Sequence, residues 1–487
     1  MVELKINRKP LYFVRNSEKV IAKFFKPGKD DHIRNIINRI LSLTEDKCKN
    51  ILNSVLKDFT GRHRDIVEIF INNFQKITFF LPHNQNYSNS RKLLLGAYFT
   101  KEYAIEAAAL FNPSIVPHPN QEGLQSNEKR IILSFRATGE KHISSIIFRS
   151  GIINSNDDII MDPVSQFVEM GNVSLGTDGF YNKKLLVTKL AELNIENETV
   201  NSTFSSLPNH FQYRQLKEVA QEVEERQPDE MQVNQTIDSI KWVAKCNYQL
   251  EFRPDSDISE RIIFPVRKEE RRGIEDARFV RFVDETSTVT YYATITAYDG
   301  RNILPVLLET KDFLRFKMCP LLGDAAKDKD MALFPRKIDG KFAMIGRQDG
   351  ENMFLVYSDN ILFWQNAQKI QTPTYSWEFV KIGNCGSPIE TEAGWLLLTH
   401  GVGPVRKYTI GVELLDLDDP SKVIGKLKEP LIMPNEIERE GYVPNVVYTC
   451  GAMIHNGTLI IPIAFSDIAS GIVTVSLKNL LNNLKPV

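Results

Sequence analysis

The sequence predicts a mostly β chain, a radial array of antiparallel sheets of the β-propeller kind, with an N-terminal helical cap and a helical insertion. Strand texture is the first of three observations behind this reading. After Arg130 the chain breaks into short runs such as RIILSF, SSIIFRSG, ARFVRFVD, TVTYYATITAYDG, KFAMIGR, MFLVYS, GWLLLTHGV, YTIGVELLDL, TLIIPIAF and IVTVSL. Apolar residues alternate in them between Gly, Asp and Asn turns, the pattern of half-buried antiparallel strands. The second observation is their even spacing along the chain, which suits four-stranded sheets closed radially so that edges are protected. A pair of β-sandwiches fits the same pattern, and no single motif repeats from blade to blade. The third is a change of period at two places, where apolar residues recur at three and four.

Residues 31–77 hold the first of these. Ile33, Ile36, Ile37 and Ile40, then Ile51, Leu52, Val55, Leu56 and Phe59, then Ile66, Ile69, Phe70 and Phe74 mark three amphipathic helices. Residues 100–110 (TKEYAIEAAAL) predict a further helix closed by Asn112-Pro113, because proline disfavours helical geometry in the residue before it. Residues 181–244 form the second, with NKKLLVTKLAELN and QYRQLKEVAQEVEERQ as helical stretches. The expected division is a cap over 1–95 and a catalytic β domain over 96–487, interrupted at about 181–244.

Composition narrows the function. The 487 residues are 42% hydrophobic and 25% charged, enough to bury a core, and 60 Lys and Arg nearly cancel 61 Asp and Glu. No global positive field is left to hold a nucleic acid or an anionic membrane, so neither is expected as a partner. The N-terminus MVELKINRKPLYFV lacks the features of a secretory signal, and a cytoplasmic location is expected. Cys48, Cys246, Cys319, Cys385 and Cys450 are far apart with no CxxC pair, so they read as free thiols, with no zinc site and no cofactor implied. GxxxxGK[ST], HExxH and GxSxG are absent.

The densest charged cluster is RRGIEDARFVRF, where Glu275-Asp276 and Arg278 precede an apolar run. On an extended segment Asp276 and Arg278 share a face. That pair serves either as a strand-edge ion pair or, if the face lines a cavity, as a carboxylate tuned by its cation. GIEDAR resembles the GIEDPR motif of glycoside hydrolase family 130, the inverting β-mannoside phosphorylases and β-mannosidases. ALFPRKIDGKFAMIGR, KIGNCGSPIETEAGWLLLTHGV, YTIGVELLDLDDP and EREGYVPNVVYTCGAMIHNGTLIIP resemble further stretches of that family in the same order. The resemblance covers roughly residue 130 to the C-terminus apart from the insertion, and it implies a five-bladed β-propeller with the active site in its central funnel.

It also implies roles. Asp276 matches the family's catalytic acid, which delivers a proton to the glycosidic oxygen through a hydroxyl of the bound mannosyl ring. Arg136, Arg278 and Asn445 would fix sugar hydroxyls. Phosphate as the attacking group needs cations, whereas water needs a carboxylate to take its proton. The family's phosphorylases share three cations, whose positions here read Lys329, Arg347 and Glu390. Charge reversal at Glu390 makes it the candidate general base, leaving Lys329 and Arg347 as binding residues. His142 and His400 could bind sugar or phosphate, Tyr375 and Trp377 could stack on a pyranose, and Glu378 is a second candidate base.

The leading reading is therefore an inverting glycosidase that hydrolyses short β-mannosides, with β-1,2 the expected linkage, from the non-reducing end. Its alternative is a β-mannoside phosphorylase that takes inorganic phosphate and forms α-mannose 1-phosphate. A non-catalytic carbohydrate-binding propeller is the third. The partner in each case is a β-mannoside oligosaccharide, and a homo-oligomer is left open.

Overall fold

The structure is a computed structural model that describes residues 4–82, 85–175, 181–192, 195–226, 231–245, 248–265, 270, 272–298 and 303–487. Cys246 lies outside the described residues; Cys48, Cys385 and Cys450 are buried free thiols.

Strand β1 (Asn7–Phe13) pairs antiparallel with Ala469–Ser476, near the other end of the chain, from Asn7 opposite Thr474 to Phe13 opposite Ser470. The expected cap is thus not wholly helical, since its first residues complete the last sheet. Strand β2 (Asn16–Phe24) follows, then α1 (Asp30–Leu41), α2 (Glu45–Phe59), α3 (Ile66–Gln75) and α4 (Asn89–Tyr98). The helices bury the three–four stripes read from the sequence: Ile33, Ile37 and Ile40 in α1, Leu52 in α2, and Ile66, Phe70 and Phe74 in α3. Helices α2 and α4 start where Thr44 and Ser88 accept hydrogen bonds from the Lys47 and Arg91 amides. Helix α4 crosses α3 at Gly96, where a Cβ would lie 1.8 Å from the Phe70 carbonyl oxygen.

The helix expected over 100–110 is not one. Strand β3 (Thr100–Glu106) pairs with β2, and β4 (Ala109–Pro117) begins the largest sheet. Tyr103 and Ile105 are buried two residues apart, so a period of two overrides the helix propensity of the alanines. Asn112-Pro113, the expected terminator, is a bulge in β4 with Asn112 at φ 48°.

In the largest sheet β4, β5 (Lys129–Thr138) and β6 (Ser144–Ile153) run antiparallel and meet the strand Gly273–Val283 through one pairing, Gly273 with Ser144. Beyond it come Val289–Tyr298, Ile303–Thr310, Arg315–Pro320, Tyr248–Glu251 and Asn172–Leu175. A four-stranded sheet spans Ala332 to Gln371, a five-stranded one Lys381 to Lys426, and the last holds Val447–Tyr448, Met453–His455, Thr458–Phe465, Ala469–Ser476 and β1.

Apolar clusters join each sheet to the next. Ile132 and Phe148 pack with Phe279 and Ile295 across the two halves of the largest sheet. Val280, Phe282 and Leu307 pack with Leu333 and Met344. Ile345 and Leu355 pack with Trp395 and Leu397, and Leu396 and Ile410 with Ile461 and Val473. Ile460 and Ile472 then pack with Ile131, Leu133 and Phe135, which returns the series to the first sheet.

The insertion is helical as expected: α5 (Lys183–Glu192), α6 (Glu198–Ser205), α7 (Tyr213–Arg226) and α8 (Met231–Lys245). They bury Leu186, Leu190, Phe204, Leu216, Ala220, Ile237 and Ile240 in a cluster of their own. Among the described residues no helix is long and apolar enough to cross a membrane.

Candidate active site

A cavity of about 240 Å³ is lined by Asn112, Arg136, Asp276, Lys329, Asp330, Arg347, Lys381, His400, Arg406, Tyr408, Val443, Val446, Tyr448 and Asp467. Irregular backbone aims several of these side chains. Asn112, Asp276, Asp330, Arg406 and Asp467 all have φ between 48° and 70°, a region that non-glycine residues occupy at a cost of order 1–3 kcal/mol. Asp276 sits in the bulge between Glu275 and Arg278, where the register against Val289–Tyr298 slips. The regular alternation read from the sequence stops there.

The Asp276 carboxylate accepts from Asn112 Nδ2 at 2.7 Å and faces Arg136 Nη1 at 3.4 Å. Arg136 also donates to Glu275 at 2.7 Å and to Ser144 Oγ at 2.9 Å, and Lys329 Nζ donates to the other Glu275 oxygen at 2.7 Å. Burial alone would raise the Asp276 pKa, but the combined field of Arg136 and Arg278, the Asn112 hydrogen bond and Lys329 outweigh it and hold the group below its ordinary value. Asp276 is thus held as an ionised carboxylate by its neighbours.

A second set of groups surrounds Asp330. Its Oδ1 accepts from Arg278 Nη2 at 2.5 Å and Tyr448 OH at 3.1 Å, and its Oδ2 lies 3.0 Å from Arg347 Nη2. Burial opposes ionisation, yet Arg278, Arg347, His400 and Lys381 together push the Asp330 pKa far down. His400 faces Asn384 O with Nδ1 at 3.1 Å and Arg347 Nη1 with Nε2 at 3.5 Å. Burial, reinforced by Arg347 and Lys381 against the pull of Asp330, lowers its pKa to about 3. The imidazole is therefore neutral, with Nδ1–H donating to the carbonyl and Nε2 as an acceptor. Lys381 lies over the Tyr408 ring at 5.4 Å, and among the described residues neither Lys381 nor Arg406 is ion-paired to a carboxylate.

Of the residues chosen from the sequence, Asp276, Arg136, Lys329, Arg347 and His400 come together on this cavity. Arg278 lies beneath it, 2% exposed, with its guanidinium on Asp330 and Tyr448. Asn445 does not line it; its Oδ1 accepts from Arg439 at 3.0 Å while its neighbours Val443 and Val446 do. Glu390 requires a correction. It is half exposed, held by Arg336 at 2.7 to 3.1 Å, and with Glu392 lines a different groove, so it is not placed to activate water beside Asp276. Its strand Ile389–Thr391 pairs Glu390 with Trp395, over whose ring Arg336 lies at 4.8 Å. Glu378 is fully buried on Lys426 at 2.8 Å, Trp377 donates to Lys428 O, and His142 stacks on Tyr442 at 4.9 Å; none of these, nor Tyr375, lines the cavity.

The sequence reading missed Asn112, Asp330, Lys381, Arg406, Tyr408, Tyr448 and Asp467. Lys381 had a signal. It opens the KIGNCGSPIET stretch that also holds Glu390, at the position matched to the family's third cation. Asp467 differs from the other two carboxylates, because burial raises its pKa to about 6 against the pull of Arg136. Among the described residues no cluster of three His, Cys, Asp or Glu could hold a metal.

A family model described as β-1,4-mannooligosaccharide phosphorylase, of glycoside hydrolase family 130, matches residues 255–486. The chain is 33% identical over 218 residues to a 1,2-β-oligomannan phosphorylase of Thermoanaerobacter sp. (strain X514), covering 44% of this chain and 71% of that one. It is 35% identical over 255 residues to a β-1,2-mannobiose phosphorylase of the same organism, covering 49% and 79%. The solved β-1,2-mannobiose phosphorylase of Listeria innocua superposes with a TM-score of 0.45 at 19% identity, over 78% of this chain and 93% of that chain. With relatives this similar over more than two thirds of their length, the chain belongs to glycoside hydrolase family 130 and is an enzyme, a glycoside hydrolase or a closely related glycoside phosphorylase.

Proposed function

We propose that the protein is an inverting β-mannoside phosphorylase that cleaves short β-mannosides, β-1,2-linked by analogy with its relatives, and forms α-mannose 1-phosphate. This is the alternative of the sequence reading, preferred over hydrolysis. The observation that carries it is the cationic pair of Arg347 and Lys381 beside neutral His400 in the cavity that holds Asp276. A phosphate dianion would meet two cations there, and the carboxylate beside them, Asp330, has its oxygens held by protein donors and is not free to take a proton from water. Glu390 is in another groove. Asp467 is the one cavity carboxylate with a raised pKa, and its electrostatic neighbours are Arg136, Asp276, Arg406 and Glu275, the groups around the acid. The names of the relatives, phosphorylases of β-1,2-mannosides, favour the same reading.

In this reading a phosphate oxygen attacks the anomeric carbon as the bond from that carbon to the glycosidic oxygen breaks. The Asp276 proton passes through a hydroxyl of the mannosyl ring to the leaving oxygen, and configuration inverts because attack and departure occur on opposite faces. Asp276 must hold a proton for this, and a bound phosphate dianion would offset the field of the cations that favour its ionised form. The series of apolar clusters returning to the first sheet supports a five-bladed propeller with this cavity at its centre. Incubation with β-1,2-mannobiose tests the function. Mannose 1-phosphate formed in proportion to added phosphate is expected, and equal release of free mannose in its absence would restore the hydrolase.

A further inference from the structure

Lys329 and Asp330 are adjacent in sequence and reach to either side of the Asp276 bulge. Lys329 bonds Glu275, the residue before Asp276, at 2.7 Å, and Asp330 bonds Arg278, two residues after it, at 2.5 Å. Arg278 in turn donates to the Asp276 backbone carbonyl at 3.2 Å. The dipeptide is anchored on its C-terminal side: Asn384 Nδ2 donates to the Asp330 carbonyl, and Thr294, which pairs with Arg278 in the sheet, donates through its hydroxyl to the Met331 carbonyl. From the same carboxylate the contacts continue outward to Arg347 at 3.0 Å, with His400 Nε2 at 3.9 Å. One buried carboxylate thus ties the backbone of the acid to the cation set of the nucleophile's side.

Burying Arg278, Asp330 and Arg347 for stability alone gains little, because an ion pair removed from water roughly breaks even against apolar packing. The arrangement does hold two separate parts of a site in one frame, and small displacements of reacting groups are costly to rate. We infer that Asp330 is a positioning residue that fixes the distance and orientation between Asp276 and Arg347. The inference rests on the phosphorylase reading for the identity of the nucleophile.

Removing the Asp330 charge leaves Arg278 and Arg347 unneutralised. Around Asp276 stand Arg136 from β5, Asn112 from β4, Glu275 and Arg278 from its own strand, Lys329 from the adjoining loop and Asp467 from the last sheet. Without the Asp330 carboxylate the field on Asp276 becomes more positive, so its proton is held less well.

The test compares wild type with Asp330→Asn on β-1,2-mannobiose and inorganic phosphate. Expected for the folded variant are a kcat at least tenfold lower, a KM for phosphate unchanged within threefold or lower, and an alkaline limb of the pH profile moved to lower pH. A folded variant with kcat within twofold of wild type, or one whose loss is entirely a raised phosphate KM with the limb unmoved, overturns the assignment. If the amide variant does not fold, Tyr448→Phe keeps every charge and deletes the hydroxyl that donates to the same Asp330 oxygen and accepts from Arg278. A kcat at least threefold lower with phosphate KM within twofold is then expected, and wild-type kcat overturns it. Phosphate-independent release of mannose by wild type sinks the phosphorylase reading instead, and it is seen before any variant is measured.

Discussion

Asp276 is held ionised by the cations around it, whereas the proposed reaction has it deliver a proton, so the loss of that proton defines its first test. Asp276→Asn keeps the Asn112 contact and the shape but has no acidic proton, and kcat on mannobiose should fall by about 10² to 10⁴. An aryl β-mannoside, whose leaving group needs little protonation, should recover most of that loss, whereas equal losses on both substrates would deny Asp276 the role of acid. Glu390 gives the opposite expectation. Its pair with Arg336 is about 40% exposed on each side, so Glu390→Gln should leave phosphorolysis at the wild-type rate and cost under about 1 kcal/mol. A hundredfold loss would return it to the mechanism. His400 provides a pH test of stability. Unfolded, its imidazole binds a proton below about pH 6.5, but burial keeps the folded group neutral to about 3, so stability is lost as pH falls through that window. Asp467, raised to about 6, works in the other direction, and the comparison of wild type with His400→Gln removes it from the difference. The variant's melting temperature should fall less between pH 6.5 and 5 than that of wild type; parallel curves would show that the imidazole is not held neutral. At this scale the sequence singled out Asp276, Arg136, Lys329 and Arg347, which the fold brings to one cavity, because these residues lie in contiguous motifs. It did not single out Lys381, nine residues before Glu390 in the same motif, because a motif fixes identity whereas only the pairing of Lys381–Asn384 with the His400 strand shows which residue reaches the cavity.

At the scale of elements, the helices of 31–77 and of the insertion were legible because each buries one stripe, a property of local sequence. Residues 100–110 were not. Their alanines favour a helix, and the pairing of β3 with β2 that decides otherwise joins residues about 80 positions apart. The bulges were equally hidden, since a bulge is a mismatch between two strands and neither strand shows it alone. Gly273 shows how such a local feature can be tested. Its φ is 130°, and a Cβ there would lie 2.8 Å from the Ser144 backbone nitrogen at the one pairing that joins the two halves of the largest sheet. Gly273→Ala should therefore cost about 1–3 kcal/mol and, by shifting the start of the Asp276 strand and the Ser144 hydroxyl that receives Arg136, lower kcat as well. Wild-type stability with wild-type kcat would show that the strand adapts freely.

For the molecule as a whole, the division between what the site uses and what it does not can be tested by removal. Among the described residues, those lining the cavity lie in 112–136 or 276–467, and none of them belongs to the helical insertion. The insertion buries its own apolar cluster. It also leaves and re-enters the sheet at neighbouring points, because Asn172–Leu175 pairs antiparallel with Tyr248–Glu251 and Leu175 stands opposite Tyr248. Two antiparallel strands in that register can be joined by a two-residue Asn-Gly turn, whose backbone twist matches theirs. Replacing residues 176–247 by Asn-Gly should thus leave the pairing of Asn172–Leu175 with Tyr248–Glu251 intact and kcat on mannobiose within about threefold of wild type, while the far-ultraviolet circular dichroism loses helical signal. The Lys189 hydrogen bond to the Leu321 carbonyl is lost with it, so some fall in melting temperature is expected. If the shortened chain folds and binds phosphate but no longer turns over mannobiose, the insertion takes part in holding the oligosaccharide outside the cavity; if it does not fold, the four helices carry stability that their separate core does not suggest.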